Sequence, residues 1–172
     1  METIADQHAF NRRRWQELRD DPIFAAHDFR VETDRFGQAL LMSTPPSFEH
    51  GGYQLDIGTI LRQHLPNGFT VTECPVSTSE GVKGADVIWI SSARKRRALR
   101  GGLLEMAPEI CVEVLSPSNT REEMTEKKRL YFEGGAKEVW FCDLTGRMHF
   151  YLHTAPDQPS ISALCPGFPR RL

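Results

Sequence analysis

The chain has 172 residues, with 21 Lys and Arg against 23 Asp and Glu, a formal charge of −2, and 40% apolar and 26% charged residues. It is long enough to bury a core without disulfides or metals, too near neutral to hold nucleic acid by bulk charge or to act as an acidic solvating tail, and too apolar to be disordered. Its longest stretch without Asp, Glu, Lys or Arg runs 13 residues from Phe36 to Phe48 and holds two prolines, which excludes a transmembrane helix. The start METIADQHAF has neither the basic start nor the apolar run of a secretory signal, so a cytoplasmic protein is expected.

Residues 3–19 read as a helix stopped at Asp21-Pro22. A hairpin follows, FRVETD (29–34) and ALLMST (39–44) about a turn at Phe36-Gly37, and Pro45-Pro46 breaks it. Ser47 caps a second helix, with Tyr53, Ile57, Ile60, Leu61 and Leu65 at helical spacing, ending before Pro66. FTVTECPV (69–76) and ADVIWIS (85–91) read as strands separated by a polar turn, STSEGVKG. A basic, glycine-containing loop spans about 92–107, and EICVEVLS (109–116) is a strand with both faces apolar. Thr120 and Glu123 form a capping box for a third helix that ends at Gly134-Gly135. EVWFCDL (138–144) and MHFYLHT (148–154) make a last hairpin, and the proline-containing tail from 155 is expected to be irregular. The fold class is therefore α/β with a mixed sheet, in which the helix at 120–134 can act as a crossover. We expect one domain: a helical extension (1–28), a core (29–154) and the tail (155–172). Cys74, Cys111, Cys142 and Cys165 contain no CxxC pair and are expected to be reduced thiols rather than a disulfide frame or zinc site.

Glu113 is the one charged group inside the apolar run 110–115, so it needs a cation, a metal or a proton. Asp86 opens the neighbouring strand, and two carboxylates on adjacent strands can hold a hard divalent cation such as Mg²⁺. In the third helix Met124, Leu130, Tyr131 and Phe132 define the apolar arc; Lys127 and Lys128 both fall within it, and periodicity does not choose between them. Glu32 alone reads as an exposed hairpin charge. Arg94, Lys95, Arg96, Arg97 and Arg100 place five positive charges in seven residues, which leaves −7 on the rest of the chain. This run reads as a phosphate-contacting loop beside the Asp86 strand. His149 and His153 share a strand face, without further ligands. No glycine pair sits in a GxxxxGK[ST] loop, and neither GxSxG nor HExxH is present.

GADVIWIS (84–91), APEICVEVLSPS (107–118) and EKKRLYFEGGAKEVWFCD (126–143) together resemble the bacterial restriction-endonuclease-like family long catalogued as a domain of unknown function and abundant in cyanobacteria. That family belongs to the PD-(D/E)XK nuclease superfamily. RVETDRFGQALLMSTPP (30–46) resembles its first hairpin, so the resemblance covers roughly residues 29–154. It implies a restriction-endonuclease-like α-β-β-β-α-β core with an added N-terminal helix and hairpin. Asp86 matches the motif Asp, with Ala85 in place of the usual preceding proline. Glu113 matches the acidic residue of the (D/E)XK half, but Leu115 stands where its lysine would, and Lys127 on the following helix is the match. Glu32 matches an acidic residue that would complete a metal shell.

The resemblance thus implies Mg²⁺ or Mn²⁺ held by Asp86, Glu113 and the Val114 carbonyl with Glu32 assisting, Lys127 as the catalytic cation, and hydrolysis of DNA phosphodiester bonds. The alternative is a catalytically inactive module of the same fold that binds nucleic acid or a protein partner. A homodimer is expected, because cutting both strands needs two sites.

Overall fold

A computed structural model describes residues 3–26, 30–41 and 47–172. Phe29, Met42, Ser43, Thr44, Pro45 and Pro46, which the expected first hairpin and its break include, lie outside the described residues. Helix α1 (Ile4–Asp20) opens on a capping box, with Thr3 and Asp6 each accepting the other's backbone N–H. A single turn, α2 (Pro22–Ala25), follows with proline in its first turn, where the missing N–H is unneeded. β1 (Val31–Thr33) and β2 (Ala39–Leu41) pair antiparallel. Helix α3 (Phe48–His64) is capped by the Ser47 hydroxyl, which accepts the His50 N–H at 3.1 Å.

β3 (Gly68–Thr78) and β4 (Gly81–Ser91) form an eleven-residue hairpin paired to its tip. Only Ser79 and Glu80 turn the chain, so most of the polar segment expected as a turn is strand. The reason is that its polar side chains have buried partners on α1. Asn11 donates to the Ser77 hydroxyl and the Thr78 carbonyl, both at 2.9 Å, and His8 Nδ1 lies 2.7 Å from the Ser77 hydroxyl. Gly81, at φ +98°, is required at the tip: a Cβ there would sit 2.2 Å from the Thr33 carbonyl.

The basic segment is not a loop. It folds as the short helix α4 (Ser92–Ala98) and a tight hairpin, β5 (Leu99–Arg100) and β6 (Leu103–Leu104). β7 (Ile110–Val114) is buried throughout. Helix α5 (Arg121–Glu133) starts at the expected Thr120 cap and ends at Gly134, with Gly135 at φ +94°. It crosses to β8 (Glu138–Cys142), which pairs parallel to β7, and β9 (Met148–Leu152) completes the expected hairpin. The first residues of the tail are also not irregular: β10 (Ala155–Ser160) pairs with β9 at the sheet edge, where Pro156 and Pro159 are tolerated because an edge strand need not donate outward. The eight-stranded sheet runs β10-β9-β8-β7-β4-β3-β6-β5. Tyr131 and Phe132 of α5 pack with Ile88, Ile90 and Val139 on one side; Ile57 and Leu61 of α3 pack with Val87, Val112 and Trp140 on the other. All four cysteines are free and buried, and no described helix is long and apolar enough to cross a membrane.

The tail after β10 is tied down by one carboxylate. Buried Glu138 accepts from Trp140 Nε1 (2.7 Å), Ser162 Oγ (2.7 Å), Ala163 N (2.8 Å) and Leu164 N (2.7 Å). A glutamine offers one acceptor oxygen and an NH₂ that faces donors. Glu138→Gln should therefore destabilise the protein by about 3 kcal/mol, since buried donors left unmet cost about 1–3 kcal/mol each. Urea unfolding checks this; a change below about 1 kcal/mol would show the tail to be held by apolar packing alone.

Candidate active site

The site lies where two strands part. β4 and β7 pair from Trp89↔Ile110 to Val87↔Val112, and there the ladder stops. Continued register would set Asp86 opposite Glu113 and Ala85 opposite Val114. Instead, the Val114 N–H that the ladder would have used donates to Asp86 Oδ2 at 2.6 Å. β7 stays paired to β8 as far as Val114↔Cys142, so one wall of the fork is rigid. Asp86 and Glu113 are only 2% and 3% exposed.

Helix α5 supplies the first set of partners. Lys127 and Tyr131, one turn apart, face the fork together. The Lys127 ammonium lies 2.7 Å from Glu32 Oε1, 3.2 Å from Glu113 Oε2 and 3.3 Å from the Gly84 carbonyl, so its three N–H bonds each have an acceptor. Tyr131 donates its hydroxyl to Glu113 Oε1 at 2.6 Å. Glu32 comes from β1 and also accepts the Gly84 N–H at 3.0 Å. Lys128, by contrast, turns outward over the Tyr151 ring and donates to the Pro156 carbonyl at 2.6 Å.

Helix α3, β3 and the residue just before β1 supply a second set around the other oxygen of Asp86. Oδ1 meets the Arg30 guanidinium at 2.6 Å, Gln54 Nε2 at 3.3 Å and His50 Nε2 at 3.5 Å. Glu73 stands across the β3–β4 hairpin from Asp86, forms an ion pair with Arg30 Nε at 3.0 Å without hydrogen-bond geometry, and accepts from Gln54 at 2.5 Å. Ligand-capable atoms of His50, Glu73 and Asp86 all lie within 4.8 Å of one another.

The charges are not balanced. With Glu113 ionised, the four carboxylates of Glu32, Glu73, Asp86 and Glu113 pair with two permanent cations, Arg30 and Lys127, and His50 adds a charge only when protonated. Burial pushes the Glu113 carboxyl up to about 7; Lys127 and the Tyr131 hydroxyl pull it down, while Asp86 and Glu32 push it further up. Burial alone would depress Lys127, but Glu113 and Glu32 outweigh it and hold the ammonium charged. Asp86 is also opposed by burial, yet His50, Arg30 and the Val114 N–H bring it below the usual carboxylate range. His50 is raised, chiefly by its hydrogen bond to Asp86.

The fork thus brings together Asp86, Glu113, Glu32 and Lys127, with Val114 at its wall. It does not bring in the basic run. That segment follows the opposite end of β4, six residues and about 20 Å beyond Asp86 at ~3.3 Å per residue. Within it Arg94 is occupied, donating to the Ala107 (2.8 Å) and Gly135 (2.6 Å) carbonyls, and Lys95 lies 3.7 Å over the Phe69 ring. Arg100 donates to the Leu99 carbonyl, while Arg96, Arg97 and Arg100 are all exposed. His149 pairs with Asp143 at 3.1 Å and His153 stacks edge-on to Phe132, both outside the site.

Sequence reasoning passed over Arg30, His50, Gln54 and Glu73. Two signals were available: Arg30 and Glu32 are two apart in an extended segment, and His50 and Gln54 are four apart in a capped helix, so each pair shares a side. For Glu73, on an alternating strand, no signal existed; its φ of +51°, unique to it among the described non-glycine residues, appears only in the fold.

A family model described as "Uma2: Putative restriction endonuclease" matches residues 15–167, a span that includes every residue of the fork. Among solved structures, the chain resembles a crystal structure described as "a putative nuclease belonging to DUF820", from Anabaena variabilis ATCC 29413. The TM-score is 0.63 at 14% identity, covering 83% of this chain and 86% of that one. At that identity the likeness establishes the shared nuclease-type fold. Curated proteins yield no match. With the family match spanning nearly the whole chain and the fold shared, the chain belongs to the Uma2 family of restriction-endonuclease-like proteins.

Proposed function

We propose that this protein is an endonuclease that uses Mg²⁺ or Mn²⁺ to hydrolyse phosphodiester bonds in DNA. The observation that carries the reading is the Lys127 ammonium held between Glu32 and Glu113 at the fork whose other carboxylate is Asp86. The donors suit a hard dication. They are carboxylate oxygens, and those of Glu32, Asp86 and Glu113 are buried. Asp86, Glu113 and the Val114 carbonyl, with Glu32 assisting, would hold such an ion, which would supply Lewis-acid activation of water and charge stabilisation at the phosphate. The chain's own groups do the rest. The Val114 N–H fixes the Asp86 carboxylate, and the Tyr131 hydroxyl fixes that of Glu113. Lys127, kept charged by two carboxylates, orients the attacking water or neutralises the phosphate oxygens. Arg96, Arg97 and Arg100 are exposed for sequence-independent phosphate contacts further along the duplex, joined by Arg94 and Lys95 where their present partners release them. Two copies acting as a homodimer would cut both strands.

Incubation with supercoiled plasmid and Mg²⁺ or Mn²⁺ should give nicked and linear DNA, and Glu113→Ala and Asp86→Ala should each abolish it. Cleavage that survives either substitution would defeat the assignment. The contact of Arg30 with Asp86 favours a second reading, an inactive module in which the guanidinium is the site's permanent cation and the surface binds nucleic acid or a protein partner. DNA binding without cleavage, unchanged by EDTA and by Glu113→Ala, would establish that reading instead.

A further inference from the structure

We propose that His50, Glu73 and Asp86 form a divalent transition-metal position of the Mn²⁺ class, separate from the Glu113 side of the fork, and that Arg30 occupies it as a displaceable cation in the metal-free protein. The inference rests on the metal-dependent reading above only in sharing Asp86.

Three observations carry it. The donor set is one imidazole nitrogen and two carboxylates with ligand-capable atoms within 4.8 Å of one another. Two carboxylates with one imidazole suit Mn²⁺, which takes oxygen ligands readily and accepts a nitrogen among them, whereas Mg²⁺ and Ca²⁺ prefer oxygen alone. Next, a cation already sits on these carboxylates: the Arg30 guanidinium lies 2.6 Å from Asp86 and 3.0 Å from Glu73. A group that bridges the same two carboxylates cannot share them with a metal ion, so the two occupants exclude each other. Arg30 is about a third exposed and can move its head to solvent or to a substrate phosphate. Finally, the two oxygens of Asp86 are divided between the sites. Oδ2 is committed to the Val114 N–H on the β7 side, and Oδ1 faces His50, Gln54 and Arg30 on the α3 side. Gln54, one helical turn after His50, donates to both Glu73 and Asp86 and so aims the carboxylates from outside, as supporting groups around metal ligands do.

The test uses the full-length protein and metal alone, without DNA. Mn²⁺ titrations followed by electron paramagnetic resonance, with electron-spin-echo detection of nitrogen coupling, report ligation by imidazole directly. Wild type should bind Mn²⁺ and show ¹⁴N modulation. His50→Gln should abolish the modulation and weaken Mn²⁺ by about 10- to 100-fold while changing Mg²⁺ affinity by less than about twofold. Arg30→Gln, which removes the competing charge, should tighten Mn²⁺ by about tenfold. Circular dichroism confirms that each variant is folded. Absence of nitrogen coupling in wild type, or a Mn²⁺ affinity indifferent to His50→Gln, overturns the site; an affinity unmoved or weakened by Arg30→Gln overturns the exclusion. Failure of this site is distinguishable from failure of the nuclease reading. DNA cleavage without nitrogen coupling sinks only the site, and nitrogen coupling without cleavage sinks only the nuclease.

Discussion

At pH 8, Glu113→Gln is expected to melt about 6 °C or more above wild type, and at pH 4.5 the two should melt together. The sign follows from the carboxyl's own equilibrium. Its folded value, about 7, lies above its ordinary value of 4.5, so the folded protein holds this proton more tightly than the unfolded chain does. The stability that the proton confers is complete below about pH 4.5 and is lost as pH rises through about 7. At about 1.4 kcal/mol per pKa unit, the ionised group costs the fold roughly 3 kcal/mol in mildly alkaline solution. Glutamine keeps the shape, accepts from Tyr131 through its oxygen and, like the protonated acid, presents a hydrogen-bearing group toward Lys127, which retains Glu32 and the Gly84 carbonyl as acceptors; it has no proton to lose. A stability change of this size moves the melting temperature of a chain this long by about 2–4 °C per kcal/mol. Plotting variant minus wild type against pH cancels Asp86, whose lowered pKa gives the opposite dependence in both proteins. Under the proposed function Mg²⁺ should recover the deficit in wild type only, because a bound dication supplies the charge the fork lacks, and cleavage should fall by at least about a hundredfold, the equivalent of about 3 kcal/mol of transition-state stabilisation. A difference curve flat in pH would mean that Glu113 is fully compensated in the folded protein and that its charge is not in excess at the fork.

The fork shows what could be read from the chain and what could not. The strand carrying Glu113 was legible because a lone carboxylate inside Ile110–Leu115 violates hydrophobic burial, and such a violation marks a functional or compensated position. The caps at Ser47 and Thr120 and the crossover helix were legible because capping is local chemistry. The polar strand 77–84 was not, since its partners on α1 lie 66 residues or more away from Ser77. The choice between Lys127 and Lys128 depended on a helix rotation that two lysines adjacent in sequence cannot fix. The basic run was placed correctly in sequence beside the Asp86 strand, but strand direction carries it to the far end. The second half of the fork, His50, Gln54, Glu73 and Arg30, comes from three elements whose convergence is tertiary. Each residue is ordinary alone, and only their shared distance from Asp86 gives them meaning.

Lys127→Met should be the most damaging single change at the fork, with a pH dependence that identifies its cause. Lys127 is 4% exposed, and its ammonium lies within 3.2 Å of both Glu32 and Glu113. Methionine fills much of the same space but leaves two carboxylates facing each other in a buried setting. Removing one partner of a buried ion pair costs about 3–5 kcal/mol. The carboxylates can escape part of this by binding a proton, so the loss should be full at pH 8 and shrink toward pH 5. Adding Glu113→Gln to Lys127→Met removes one of the stranded charges, and the double variant should regain at least about 2 kcal/mol, a coupling of the size seen for residues in one network. Lys128→Met is the control. Its ammonium sits over Tyr151 and beside the exposed Asp157, 91% exposed, where an ion pair contributes at most about 1 kcal/mol. Denaturant unfolding at the two pH values measures all four proteins, and plasmid cleavage should vanish with Lys127→Met and survive Lys128→Met. Equal losses for the two lysines, or a double variant no more stable than Lys127→Met alone, would show that Lys127 acts through packing of its stem and not through the charge it places between Glu32 and Glu113.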